Sequence, residues 1–294
     1  MLSKSIRDLR GFSLVEMMIG LTISMMIIGA FINLLINQNK SATSEGLRQD
    51  MSLSGRVALD EIQREAMNAG TGLPGLFSSV QVFDGGSDPD TITFLYIPVT
   101  DINLKFAASP KPNANANAMK LSADSDIDSL NVGEHLIIFD ESDFNVIEIS
   151  QINISSKTVN FVPPASVYNL SSGLAKAYNP PTTTVARVSI MSITVDQSDL
   201  DHPQLVKFKG STNLGSVASD IQDMQVVIQF EDGDTASSTD DSDGDNTNDM
   251  MDLRAVEVTL TARSSRPDTD RNQEGDHYWR QEFTALIAPR NVIY

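Results

Sequence analysis

The sequence predicts an α+β protein in which one long N-terminal helix lies on an antiparallel β-sheet domain. Two features of the sequence predict this architecture. Residues 12–69 have the pattern of one continuous helix, and after Pro74 the chain changes to short β-type runs separated by turn residues. The chain has no cysteine, which excludes disulfides and thiolate metal sites. Packing or hard ions must therefore stabilise the fold.

The first part of the predicted helix has the character of a membrane segment. Residues 12–36 contain one charged residue, Glu16, and exceed the roughly 20 apolar residues that a helix needs to cross a bilayer. The leader, residues 1–11, has a net charge of +2, from Lys4, Arg7 and Arg10 against Asp8. Basic residues beside an apolar segment stay in the cytoplasm, so we expect the rest of the chain outside it.

The junction between Gly11 and Phe12 precedes the apolar run, whereas an ordinary secretory signal is cut after its apolar core. Cleavage here would remove the leader and keep the helix. A carboxylate such as Glu16 costs about 2.5 to 3.5 kcal/mol at membrane depth unless it is paired. The freed amine of Phe12 could pair with Glu16 of a neighbouring copy or sister subunit. The alternative is a single-pass anchor whose Glu16 lies near an interface or stays protonated.

The helix is predicted to continue through residues 37–72 as an amphipathic half. Apolar residues recur at helical spacing at Leu47, Met51, Ala58, Ile62 and Ala66. Charged residues lie on or beside the other face: Arg48, Asp50, Arg56, Asp60, Glu61, Arg64 and Glu65. Gly70, Gly72 and Pro74 form a stop signal. One helix of about 58 residues would be about 87 Å long, and its apolar stripe predicts core packing against a sheet rather than a cofactor site.

Residues 73–294 are predicted to form a globular β-rich domain. The candidate strands are residues 91–97, 135–140, 146–152, 158–162, 184–195, 205–209, 224–231, 254–262 and 279–288. The second and third of these strands are predicted to form a hairpin, and residues 109–118 to form an exposed loop. We expect one antiparallel, largely meandering sheet.

The loop at residues 231–252 holds nine carboxylates and no basic residue. Within it, Asp241, Asp243, Asp245 and Asp249 alternate with other residues around Gly244, as the oxygen ligands of a hard cation such as Ca²⁺ do. The match to an EF-hand loop is imperfect, because no frame places both the glycine and the final bidentate glutamate. We expect calcium binding here, and the alternative is a solvated, disordered acidic loop.

Several function classes are disfavoured by composition and spacing. The net charge of −18 becomes −20 once a +2 leader is removed, which disfavours direct contact with nucleic acid. His135, His202 and His277 have no metal-ligand spacing, and no phosphate-binding loop, nucleophile elbow or dinucleotide fingerprint is present. The chain is therefore not expected to be an enzyme.

The residues Arg-Gly-Phe-Ser-Leu-Val-Glu at positions 10–16 resemble the class III leader of type IV pilins and type II secretion pseudopilins. The resemblance implies the type IV pilin fold, cleavage after Gly11 by a prepilin peptidase, methylation of Phe12, and Glu16 as the assembly carboxylate. Residues 55–70, 220–230, 254–263 and 283–291 resemble PilW-type minor pilins, and GspJ-type pseudopilins share the same plan.

The function that this resemblance implies is that of a minor pilin, which enters type IV pili or primes their assembly, with adhesion, motility and DNA uptake as outcomes of the whole system. Its implied partners are the prepilin peptidase, other minor and major pilins, and the inner-membrane assembly platform. The chain would cross the inner membrane once, with a cytoplasmic N-terminus and a periplasmic domain, before it reaches the pilus. The alternatives are a GspJ-type secretion pseudopilin and a membrane-anchored extracytoplasmic binding module.

Overall fold

The computed structural model describes residues 13–73, 79–98, 102–109, 112, 116–141, 144–162, 174, 176–180, 182–239, 252–268 and 276–289. These residues form one long helix, α1 (Leu14–Asn68), a short 3-10 turn (Ile127–Ser129) and thirteen strands. The strands are β1 (Val80–Phe83), β2 (Thr91–Tyr96), β3 (Ala118–Lys120), β4 (His135–Phe139), β5 (Phe144–Asn153), β6 (Thr158–Val162), β7 (Thr184–Asp196), β8 (Gln204–Lys209), β9 (Thr212–Ser219), β10 (Ile221–Phe230), β11 (Thr235–Ala236), β12 (Leu253–Arg263) and β13 (Arg280–Ile287).

Helix α1 is continuous over 55 residues, which corresponds to about 82 Å. Ser13 caps its start, and no proline interrupts it. The helix stops at Ala69, whose N–H donates to the carbonyls of Glu65 and Ala66. Gly70 and Gly72 follow with φ values of 80° and 74°, which favour glycine. The expected fold class, a long N-terminal helix with antiparallel sheet, is therefore confirmed.

The domain contains two antiparallel sheets within the described residues, so the expectation of one meandering sheet is wrong. A nine-stranded sheet has the order β1-β2-β7-β4-β5-β6-β3, with β8 and β9 added through β7. A four-stranded sheet has the order β11-β10-β12-β13. The chain passes from one sheet to the other at Asp220, whose φ of 58° breaks the extended run between β9 and β10. This single left-handed residue redirects the strand that follows.

All nine predicted strands are present, with ends moved by at most three residues. The predicted hairpin is β4–β5, and its strand β5 begins earlier than expected, at Phe144. Four strands were not predicted: β1, β3, β9 and β11. Strand β9 is mostly exposed and contains Gly215, so it lacks the apolar alternation that identifies strands. Its extended form depends on its pairing with β8, which the local sequence does not indicate.

The apolar stripe of α1 packs into the main core, as predicted. Helix α1 contacts β2 and β9 of the larger sheet and β12 and β13 of the smaller one. Ala58, Ile62 and Ala66 are almost completely buried there. At Gly55 the Phe283 ring of β13 lies so close that a Cβ would be 2.3 Å from its Cε2. The helix can therefore approach the last strand only because residue 55 lacks a side chain.

Two carboxylates expected on or beside the polar face of α1 instead face the larger sheet. The Lys207 ammonium of β8 lies 2.7 Å from Glu61 Oε1 and 2.6 Å from Glu65 Oε1. The exposed fraction of the Glu65 side chain is 5%, and that of Lys207 is 13%. Helical spacing places Glu65 beside the apolar stripe, and the sheet that covers this stripe extends over it. A salt bridge thus fixes the position of the helix along β8.

Candidate functional site

The start of α1 brings Ser13 and Glu16 together in a capping box. The Ser13 N–H donates to Glu16 Oε2 at 3.1 Å, and the Val15 N–H donates to Ser13 Oγ at 3.4 Å. Each side chain thereby satisfies a backbone donor that the first helical turn leaves free. Glu16 is exposed, so its carboxylate also remains open to a second donor. Gly11 and Phe12, the predicted cleavage and methylation residues, lie outside the described residues.

The first half of α1 has no protein cover in the single chain. Its large apolar side chains from Leu14 to Ile36 are 43–77% exposed. A continuous apolar surface of this size is not stable in water and requires lipid or other helices around it. Among the described residues, this is the one helix long and apolar enough to cross a membrane. The structure thus separates a membrane half of α1 from a half that the domain covers.

A shallow groove follows one face of this membrane half. It is lined by Glu16, Gly20 and Ser24, which are spaced four residues apart, with Met17 and Leu21 beside them. A Cβ on Gly20 would meet nothing within 4 Å. Small residues at this spacing allow the backbone of another helix to come close in a membrane. The groove therefore places the Glu16 carboxylate at the end of a surface suited to helix packing.

Comparison with protein families gives one match, which covers the junction and the start of the helix. The description of the matching family is prokaryotic N-terminal methylation motif, and the matched residues are 7–32. The N-terminus carries a methylation motif. No curated protein and no solved structure matches the chain.

The methylation motif supports a type IV pilin or pseudopilin that a prepilin peptidase processes and that assembles with other pilins. It also supports membrane anchoring by α1 and a structural role rather than an enzymatic one. The motif includes Glu16, Gly20 and Ser24, so the whole groove lies within it. The β domain lies outside the matched residues.

Contacts beyond the membrane half join α1 to the β domain. The Arg48 guanidinium carbon lies 3.7 Å from the centre of the Trp279 ring, and Trp279 Nε1 donates to Asp268 Oδ2 at 3.0 Å. The helical pattern places Arg48 on or beside the polar face of α1. The pairing joins residues more than 200 positions apart, so no local signal could have revealed it.

Within the described part of the chain, neither the histidines nor the ends of the acidic loop form a metal site. His135 lies at a strand start, His202 is exposed, and His277 is half-buried. Asp241, Asp243, Asp245 and Asp249 fall outside the described residues, while the loop is closed at its base by a 3.0 Å hydrogen bond from the Glu231 N–H to the Asp252 carbonyl. Among the described residues, no group of three or more acidic, histidine or cysteine side chains is placed to hold a metal.

Proposed function

We propose that this chain is a PilW-type minor pilin, which is cleaved after Gly11, methylated on Phe12 and incorporated into type IV pili or used to prime their assembly. The observation that carries the proposal is the methylation motif at the start of one continuous helix that ends in a β domain. The resemblance of residues 220–230, 254–263 and 283–291 to PilW-type minor pilins favours the pilus over a secretion pseudopilus.

Assembly would exchange the hydrogen-bond partner of Glu16. In the single chain the carboxylate accepts from the Ser13 backbone N–H. Processing creates a cationic amine on Phe12, and a charged donor forms a stronger hydrogen bond with a carboxylate than a neutral amide does. The Phe12 amine of a neighbouring subunit, packed along the groove at Gly20 and Ser24, would neutralise Glu16 at membrane depth. The pairing would stabilise the filament, because neither charge then stays unpaired in an apolar environment.

The proposed location follows from the charges of the leader. Its +2 net charge keeps residues 1–11 in the cytoplasm, so the domain lies in the periplasm and later on the pilus. Before assembly the chain is a single-pass inner-membrane protein. Its partners there are the prepilin peptidase, the inner-membrane assembly platform, and other minor and major pilins.

Intact-mass measurement of the protein from its native membrane tests processing. The proposal expects a mass lower by residues 1–11 and higher by one methyl group, with the methyl on the Phe12 amine in the N-terminal peptide. A membrane protein that retains its leader would overturn the pilin proposal and favour a membrane-anchored binding module.

Replacement of Glu16 tests the assembly step. Glu16→Gln should abolish or strongly reduce incorporation into filaments, while processing and the melting temperature of the β domain stay unchanged. Glu45→Gln is the matched control, because it removes the same charge from an exposed position of the same helix. Wild-type incorporation of the Glu16→Gln protein would contradict the pairing of Glu16 with the amine.

The alternative within the same family is a GspJ-type pseudopilin of type II secretion, because the methylation motif is common to both systems. Deletion of the gene separates the two. Loss of surface pili with normal release of secreted proteins supports the pilus role, and the opposite result supports the secretion role.

A further inference from the structure

A cleft opens in the larger sheet where β7 changes its pairing partner. Strand β7 pairs with β4 from Thr184 to Val188 and with β8 from Met191 to Asp196. The turn between β8 and β9 is held at this point, because the Gly210 N–H donates to the Ile190 carbonyl at 2.9 Å. A Cβ on Gly210, where φ is +56°, would lie 2.7 Å from the His135 ring. Glycine therefore lets the turn and β4 meet, and a cleft of about 230 Å³ remains beside them.

The cleft gathers positive charge in a protein of net charge −18. Arg187 and Lys209 line it against one acidic residue, Glu134. Lys209 is exposed, and within the described part of the chain its ammonium has no hydrogen bond or ion pair. His135 adds no charge at neutral pH, because burial lowers its pKa despite the opposing effect of Glu148, 4.0 Å away.

Arg187 is held in place but is not fully satisfied. Its Nη2 donates to the Ser129 carbonyl, and its Nε lies 3.3 Å from Glu134 Oε2. The Nε contact does not have hydrogen-bond geometry, so this buried nitrogen lacks an acceptor among the described residues. A guanidinium fixed in this way suits a carboxylate, because its planar donors match the two carboxylate oxygens.

The remaining lining suits a small ring that carries hydroxyl groups. Val188 and Ile190 contribute apolar surface, and Ser211 and Thr212 contribute hydroxyls. The volume of about 230 Å³ is smaller than the roughly 300–1,000 Å³ of pockets that hold drug-sized ligands. One sugar ring is thus the size of ligand that the cleft can take.

We propose that this cleft binds a hydroxylated carboxylate of monosaccharide size, such as a uronic acid, through Lys209 and Arg187. The ligand carboxylate lies between the two cations, the ring hydroxyls contact Ser211 and Thr212, and the apolar ring face lies on Val188 and Ile190. The site is independent of processing and of Glu16, since all of it belongs to the β domain.

The affinities of the cleft for glucuronate and for glucose separate the contribution of the carboxylate to binding from that of the sugar ring. The two ligands differ only in that glucuronate carries a carboxylate. The probe is the full chain in detergent micelles, with ¹³C-labelled isoleucine and valine methyls. Glucuronate should shift the methyl signals of Val188 and Ile190 in a saturable manner. Glucose should bind about a hundredfold more weakly, as expected for the loss of two charge-assisted contacts.

Lys209→Gln should weaken glucuronate binding by about tenfold while glucose binding and the melting temperature stay unchanged. Lys120→Gln is the matched control, because it removes the same charge from an exposed residue of β3 and should leave glucuronate binding intact. Equal binding of the two sugars, an absence of shifts at Val188 and Ile190, or an equal effect of the two lysine variants would overturn the proposal.

Discussion

At the scale of single residues, the packing of α1 leaves no room for a side chain at Gly55. The Phe283 ring of β13 occupies the space that a side chain at residue 55 would need. This ring lies at the edge of the main core. Glycine is unfavourable in a helix by about 0.5–1 kcal/mol relative to alanine. The close approach of the ring therefore outweighs helix propensity at this residue.

We expect Gly55→Ala to destabilise the domain by about 1–2 kcal/mol, because overpacking costs about 1–3 kcal/mol and the helix gains up to about 1 kcal/mol. Gly46→Ala is the control, since nothing lies within 4 Å of a Cβ at residue 46, and it should leave stability unchanged or raise it. Chemical unfolding of both variants measures the difference. A Gly55→Ala protein as stable as Gly46→Ala would show that the ring moves aside without cost.

The salt bridge of Lys207 should make stability depend on pH. Burial opposes ionisation of Glu61, but Lys207 and Arg64 outweigh it and hold the pKa of Glu61 below its usual 4.5. The unfolded chain then takes up this proton at a higher pH than the folded chain, so the stabilisation is present above about pH 4.5 and is lost as pH falls below it.

Glu61→Gln should therefore lower the free energy of unfolding by about 1–3 kcal/mol at pH 7, the range for a hydrogen bond to a charged group. Its difference from the wild type should shrink as pH falls from about 5 to about 3. Asp60→Asn, which removes a neighbouring exposed carboxylate, should show neither effect. Unfolding curves across this pH range measure both variants, and a pH-independent difference for Glu61→Gln would contradict the assignment.

At the scale of elements, α1 is one helix with two environments. Its first half exposes apolar side chains on all sides, while its second half buries one stripe against both sheets. Arg48 on Trp279 and Glu61 and Glu65 on Lys207 hold the second half at two points along its length. The continuous helix thus joins a half that lacks protein cover to a half that is packed in the domain.

Calcium binding remains a prediction for the acidic loop, residues 231–252, which joins β10 to β12. Its base is closed between Glu231 and Asp252, and the predicted ligands Asp241, Asp243, Asp245 and Asp249 lie between these residues. Clustered carboxylates repel one another unless a cation neutralises them.

Calcium should therefore raise the melting temperature of the full chain by several degrees, and magnesium should do so less because its geometry is more demanding. The Asp243→Asn/Asp245→Asn protein should lose the response. An unchanged melting temperature in saturating calcium would leave the solvated loop as the correct interpretation.

At the scale of the whole molecule, Asp90 connects the two sheets. Its carboxylate accepts from the Gly85 N–H at 2.8 Å and from the Val226 N–H of β10 at 2.7 Å, and its own N–H donates to the Met224 carbonyl. Asp90 is almost completely buried, so these donors replace the water that its charge would otherwise require. The two sheets and α1 consequently share one core.

Much of this architecture could be predicted because its signals are local. The periodicity of α1 and the pattern of nine strands each depend on residues close together in the chain. Strand β9 could not be predicted, since its sequence is exposed and contains glycine, and its pairing with β8 depends on a strand that the local pattern does not reveal. The burial of Glu65 could not be predicted either, because it depends on Lys207, 142 residues away.

The sequence by itself determined the membrane helix, the methylation motif and the strand-rich domain, because periodicity and spacing specify local backbone structure. Only the tertiary structure decided that the strands divide into two sheets at Asp220, that Glu61 and Glu65 face Lys207, and that Arg187 and Lys209 line one cleft. These features depend on which distant segments pair, and pairing is selected by burial of the whole core rather than by any segment alone.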